Sequence, residues 1–158
     1  MTHVIGLIAD THGLVRPEVH DALAGVELIL HAGDVGGEEV LDELALIAPV
    51  LAVKGNTDPT GEPRLLAWID RMIGDVSIHV SHGHEVGSPT PAKLLARYTA
   101  DVVIYGHTHR QLITQVGRRW AVNPGAAGPR RFDLLPSVAR MTIDGGDPVI
   151  ELVMLKSG

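Results

Sequence analysis

The sequence predicts a mixed α/β sandwich, and three observations carry that prediction. The first half alternates apolar, strand-like runs with amphipathic helical stretches, as parallel strands joined by crossover helices do. The second half is richer in strands, with Gly-containing turns between them. Several strand-like runs also break off at Gly, with Asp, Asn or His alongside, in place of ordinary loop residues.

Residues 4–9 form a nearly continuous apolar run, as expected for a strand buried on both faces. Residues 16–24 read as a helix, with Pro17 tolerated in its first turn. A strand over 27–30 and a helix over 38–47 follow, the helix carrying Val40, Leu41, Leu44 and Ile47 along one side. Residues 49–54 make a third strand, which Gly55 stops. Strands over 66–73 and 76–81 flank Gly74-Asp75, a hairpin signal. Thr90 is placed to cap a helix over 91–98, with Pro91 at its first position. A buried strand over 102–105 precedes runs at 112–116, 119–122, 138–143 and 149–155, which read as a meander turning at Gly117 and Gly145-Gly146. No linker, repeat or low-complexity segment intervenes, so residues 1–158 are expected to form one domain.

Composition excludes several function classes. With 45% hydrophobic and 20% charged residues a full core can be buried; aromatics are only 3%, so that core must rest on Val, Ile, Leu and Ala. A net charge of −6 argues against stable nucleic-acid binding but not against a small phosphoester, because bound cations would reverse the local sign. The absence of cysteine removes disulfides, thiolate zinc sites and iron–sulfur clusters. The first apolar run is too short for a signal peptide, and no stretch approaches the roughly 20 apolar residues of a membrane span. The expected compartment is the cytoplasm, with no membrane partner.

Six motifs carry the chemistry: Asp10-Thr11-His12, Gly33-Asp34, Gly55-Asn56-Thr57-Asp58, His82-Gly83-His84, Gly106-His107-Thr108-His109 and Asn123-Pro124-Gly125. Singly each is weak, since Asp and Asn routinely cap helices and finish turns. As an ordered set they are hard to explain as packing. In extended backbone, residues i and i+2 point the same way, so Asp10 with His12, and His107 with His109, are expected to converge pairwise. Ligands of parallel α/β sheets collect beyond the carboxyl ends of the strands, where Asp10, Asp34, Asn56 and His107 all fall. Carboxylate, imidazole and one amide suit Mn²⁺, Fe²⁺, Zn²⁺, Co²⁺ or Ni²⁺ better than an all-oxygen Mg²⁺ or Ca²⁺ cage. Asp10, His12, Asp34, Asn56, His82, His107 and His109 are too many donors for one tetrahedral ion. They suit two divalent metal ions sharing a carboxylate, roughly 3.5–4 Å apart, and hence metal-assisted chemistry on a phosphate ester.

In this order the motifs resemble the calcineurin-like metallophosphoesterase superfamily, and the length and GNTD variant resemble its small bacterial and archaeal phosphodiesterase branch. The resemblance covers the chain from Asp10 to the Asn123-Pro124-Gly125 loop. It implies an α/β sandwich of two mixed β-sheets flanked by helices. It also implies that Asp10, His12 and His109 hold one ion, that Asn56, His82 and His107 hold the other, and that Asp34 bridges them. Asp34, Asn56 and His107 are the positions it marks as catalytic, and His82 is favoured as a ligand over His84, which would orient a ligand or touch substrate. The implied reaction is in-line attack of a metal-bridging hydroxide on a small phosphoester, with Mn²⁺ the favoured ion. Relatives of this size often form dimers or higher assemblies.

Two departures from the family pattern matter. Thr57 stands where phosphomonoesterases often carry a His that protonates the leaving group, so diesters with good leaving groups are favoured. Ala126 replaces the usual Ser of the Asn-Pro-Gly loop. A phosphomonoesterase, and a weakly active fold used as a protein-interaction scaffold, are the alternative functions. Blander roles go to the remaining candidates: His31 as a hydrogen-bonded strand-end residue, His3, His20 and His79 as surface or packing residues, Asp58 as a turn stabiliser, Asn123 as a loop brace, and Arg130-Arg131 as a solvated pair.

Overall fold

The computed structural model describes residues 1–130 and 133–155. In chain order the elements are β1 (His3–Ile8), α1 (Glu18–Ala22), β2 (Leu28–His31), α2 (Glu38–Leu44), β3 (Val50–Val53), β4 (Leu65–Leu66), β5 (Ile69–Ile73), β6 (Val76–Val80), α3 (Pro91–Arg97), β7 (Val102–Ile104), β8 (Leu112–Val116), β9 (Arg119–Asn123), β10 (Ser137–Ile143) and β11 (Val149–Met154). Among the described residues they form a six-stranded sheet, ordered β11-β10-β1-β2-β3-β4, and a five-stranded sheet, ordered β5-β6-β7-β9-β8. Both sheets are mixed. Strands β1 to β4 run parallel and β10 returns antiparallel to β1. In the second sheet β6, β7 and β9 are parallel, with β5 and β8 antiparallel at the edges.

Residue choice explains the layering. Ile5, Leu7, Leu30 and Val53 of the first sheet meet Ile78, Val80, Val102, Ile104 and Val122 of the second, so β-branched and Leu side chains fill the space between the sheets. The opposite face of the first sheet, with Ile8 and Ile29, packs on Val19 of α1 and Val40, Leu41 and Leu44 of α2. Leu94 of α3 packs on Val103, Tyr105 and Ala121 of the second sheet. Thr90 caps α3 as expected, its Oγ1 accepting the Lys93 N–H at 3.2 Å, with Pro91 in the first turn.

Three expectations need correction. The run 66–73 is not one strand: β4 pairs with β3 in the first sheet, whereas Ile69 and Ile73 of β5 face the inter-sheet core on the second. A straight strand cannot serve two separated sheets, so the chain crosses at Ala67-Trp68. The run 112–155 is not one meander but two hairpins on different sheets, because β9 pairs with β7 and β10 with β1. Helix α2 stops at Leu44; Leu46 and Ile47 close tighter turns on Glu43 and Leu44. No helix among the described residues is long and apolar enough to cross a membrane.

Candidate metal centre

The carboxyl ends of the parallel strands of both sheets point to one edge of the sandwich. Asp10 follows β1, Asp34 follows β2, Asn56 follows β3, His82 follows β6, and His107 and His109 follow β7. The backbone there is not extended. Asp10, His12, Asp34, His107 and His109 have φ of 52°, 45°, 54°, 76° and 64°. Non-glycine residues in this left-handed region cost about 1–3 kcal/mol each and persist only where their surroundings fix them. This corrects the extended-backbone reason for the pairwise expectation, which itself holds for Asp10 with His12 but not for His107 with His109. The turned backbone of the His107-Thr108-His109 loop sends its two imidazoles to opposite halves of the cluster.

All seven expected donors come together. The His12 and His109 Nε2 atoms lie 3.3 Å apart, and each is within 4 Å of Asp10 Oδ1, at 3.8 and 3.6 Å. On the other side His82 Nε2 is 3.2 Å from Asp34 Oδ2, and His107 Nδ1 is 3.1 Å from Asn56 Oδ1. The His82 and His107 rings are 5.2 Å apart, edge to face. Asp34 Oδ2 sits between the halves, since it is also 3.7 Å from His12 Nε2. Asp10 is almost as central, its Oδ1 being 3.9 Å from His82 Nε2.

These spacings fit metal ions. Two ligands each about 2.1 Å from one ion, at angles between square and tetrahedral, lie roughly 3.0–3.4 Å apart. The pairs at 3.1, 3.2 and 3.3 Å fall in that range. His82 Nε2 is buried and makes no hydrogen bond of normal geometry, while its Nδ1 donates to Ala32 O at 2.8 Å and fixes the ring. Asp10 with His12 and His109, and Asp10 with Asp34 and His82, each bring their ligand atoms within 4.8 Å of one another.

Close backbone approach explains two glycines. A Cβ on Gly55 would overlap both the amide nitrogen and Oδ1 of Asp34, and one on Gly33 would lie 2.6 Å from His82 Nδ1. Asp34 Oδ1 in turn accepts the Thr57 N–H at 2.9 Å, which leaves Oδ2 facing the imidazoles.

A polar frame holds the loops. Asp58 accepts from Val35 N at 3.0 Å, Gly36 N at 3.1 Å and Gly55 N at 2.9 Å, tying the Asn56 loop to the Asp34 loop. Asn123 donates to Thr108 Oγ1 at 3.0 Å and accepts from Gly125 N at 2.9 Å, bracing the His107–His109 turn. His31 is fully buried. Its Nδ1 accepts the Gly33 N–H at 3.1 Å, so Nε2–H donates to Thr11 Oγ1 at 2.9 Å, whose hydroxyl donates to Val35 O at 2.7 Å. These are the bracing and turn roles expected of Asp58, Asn123 and His31. The sequence did not foreshadow the Ala32 carbonyl that orients His82, because a backbone acceptor leaves no trace in residue identity.

The remaining candidates lie elsewhere. His3 pairs with Glu27 at 3.1 Å and His20 with Glu43 at 2.9 Å at the surface. His79 is buried against the Tyr98 ring, and His84 is exposed, its ring 5.4 Å from that of His82. Arg130 is exposed; Arg131 lies outside the described residues.

The cluster is electrostatically polarised. Burial pushes Asp34 upward, but the facing His82 imidazole and the hydrogen bond from the Thr57 N–H outweigh it and hold the carboxyl well below the usual range. Burial lowers His82, yet the facing Asp34 and Asp10 carboxylates raise it overall. Burial and the neighbouring His82 lower His107. Away from the donors, burial pushes His31 down to about 3, so it stays neutral in the fold and charges only on unfolding. A lowered histidine stabilises the fold above the unfolded-state value near 6.5, and that contribution is lost as pH falls toward 3. His31→Gln, which keeps one donor and one acceptor, is therefore expected to lose about 1.4 kcal/mol less stability than wild type between pH 7.5 and 5.5. Urea unfolding of both proteins in a chelator checks this; parallel losses would contradict it.

Comparison with known proteins identifies the family. Residues 4–146 match the calcineurin-like phosphoesterase superfamily domain. A protein of Methanothermobacter thermautotrophicus named as a probable metallophosphoesterase is 39% identical over 156 residues, covering 90% of this chain and 87% of its own. A phosphodiesterase of Methanocaldococcus jannaschii is 31% identical over 141 residues, covering 77% of this chain and 82% of its own. Vacuolar Protein Sorting 29 from Cryptosporidium parvum superposes with a TM-score of 0.88 at 24% identity, covering 99% of this chain and 93% of its own, a likeness of fold.

Proposed function

The chain belongs to the calcineurin-like phosphoesterase superfamily and is a metal-dependent phosphoesterase, and from that premise we propose that it is a dinuclear phosphodiesterase acting on small phosphoesters. The observation that carries this reading is Asp34 Oδ2 lying 3.7 Å from His12 Nε2 and 3.2 Å from His82 Nε2, with a donor set on either side.

In this reading Asp10, His12 and His109 hold one ion, Asn56, His82 and His107 hold the other, and Asp34 is shared. A pair of divalent ions, when bound, supplies Lewis acidity that acidifies a water for in-line attack and offsets charge on the phosphoryl oxygens. Mn²⁺ is the favoured ion, with Zn²⁺, Fe²⁺, Co²⁺ and Ni²⁺ compatible with the same imidazole–carboxylate–amide mixture. Ala32 O and the Thr57 N–H orient His82 and Asp34 before any ligand arrives, so little reorganisation accompanies binding. Asn56 is exposed and His107 partly so, which supports assigning these two to the side where substrate would enter. Thr57 is also exposed at that mouth, and its hydroxyl cannot protonate a leaving group near neutral pH. Diesters with acidic leaving groups do not need that proton. The cytoplasm is the proposed compartment.

The test compares two esters. Mn²⁺-loaded protein is expected to hydrolyse bis-p-nitrophenyl phosphate with kcat/KM at least about tenfold above that for p-nitrophenyl phosphate, and chelation should abolish both activities. Equal or reversed preference would make it a phosphomonoesterase.

A further inference from the structure

A groove of about 860 Å³ opens beside the donor cluster, on the outer face of β6 between β5 and α3. Its inner end is His84, whose ring lies 5.4 Å from that of His82 and 6.2 Å from that of His107. Lys54, two residues before Asn56, lines it too, so the groove adjoins the proposed reaction centre through His84 and the Asn56 loop. Its volume is that of a site for a whole small molecule, far beyond what a phosphoryl group needs.

The lining chemistry narrows the occupant. The floor is a buried His79 imidazole stacked on Tyr98 at 3.7 Å between ring centroids. Both carboxylates of the groove are engaged: Asp70 Oδ1 lies 2.7 Å from His79 Nδ1, and Glu85 accepts the Tyr98 hydroxyl at 2.7 Å. Among the described residues, no carboxylate lies within ion-pair distance of Lys54 or Arg97. With Lys54, Arg71 and Arg97 set against Asp70 and Glu85, the groove is lined by one more cationic than anionic side chain, in a chain whose overall charge is −6. At the rim Trp68 is 60% and Met72 61% exposed. An exposed indole lining the same groove as a Tyr ring and guanidinium groups offers a flat π-face in a groove that also carries positive charge, a combination suited to aromatic ligands carrying a phosphate.

We propose that this groove is the subsite for the esterified arm that the phosphate retains after hydrolysis, that it takes a flat nucleobase on that arm, and that Trp68 is the specificity-determining residue. The assignment rests on the phosphodiesterase reading for its kinetic consequence but not for its binding consequence. Two p-nitrophenyl diesters separate the arms: the thymidine 5′-phosphate ester and methyl p-nitrophenyl phosphate. Trp68→Ala in the Mn²⁺-loaded protein raises KM for the thymidine ester about tenfold, leaves the methyl ester's constants unchanged, and Trp68→Phe recovers most of the loss. Equal changes for both esters, or none, overturn the assignment. Independently, thymidine 5′-monophosphate added to metal-free protein quenches intrinsic tryptophan fluorescence saturably in wild type and not in Trp68→Ala. Absence of that quenching overturns the groove assignment. Saturable quenching without turnover of either ester leaves the groove in place and refutes the phosphodiesterase reading instead.

Discussion

Asp34→Asn is expected to lower kcat/KM for bis-p-nitrophenyl phosphate roughly a thousandfold and to reduce bound metal in the same preparation. The substitution preserves shape. Its amide oxygen can still accept the Thr57 N–H that Asp34 Oδ1 takes at 2.9 Å, so the loop keeps its main tie. What changes is the atom facing the imidazoles. A neutral amide replaces Oδ2, the oxygen that lies 3.2 Å from His82 Nε2 and 3.7 Å from His12 Nε2, and so removes a negative charge that touches both halves through one oxygen, as Asp10 Oδ1 also does. The proposed shared ligand is then gone while the fold remains. Steady-state assays paired with metal analysis check this; an Asn variant that hydrolyses the diester at the wild-type rate would remove the basis for the two-ion reading.

Gly55→Ala is expected to act on stability and site together. Gly55 needs no special dihedral. Its constraint is space, because a methyl group there would overlap the Asp34 amide nitrogen and carboxylate. Asp34 cannot retreat, since its φ of 54° is already strained and the Asp58 carboxylate holds Val35 N and Gly36 N just beyond it. The expected cost is about 3 kcal/mol, as for overpacking against a rigid neighbour, with loss of metal binding in the folded fraction. Thermal unfolding with and without Mn²⁺ measures both. A variant that melts with wild type and keeps its Mn²⁺-induced stabilisation would show that the Asp34 loop yields more easily than its contacts imply.

Much of this arrangement was legible in the sequence because strand ends are marked by composition. Val, Ile and Leu runs that stop at Gly33, Gly55 and Gly106 place their polar neighbours at the carboxyl edge of a parallel sheet, and the seven donors do meet there. The bracing roles of Asp58 and Asn123 followed from the turn chemistry of Asp and Asn. What stayed hidden depends on long-range partners. Nothing local distinguishes residues 66–73 from a continuous strand, because the crossing at Ala67-Trp68 is set by which sheet has a free edge. The left-handed backbone of Asp10, His12, Asp34, His107 and His109 is equally silent, since these residues adopt it only under tertiary constraint. The groove beside His84 assembles Lys54, Trp68 and Arg97 from segments that no motif links.

The most direct measurement is the metal content of the chain after chelation and reloading with Mn²⁺, read by elemental analysis against protein concentration. Two ions per chain in wild type, falling to one or fewer in Asp34→Asn, is the predicted result. A single ion per chain in wild type, retained unchanged in Asp34→Asn, would contradict the shared-carboxylate centre.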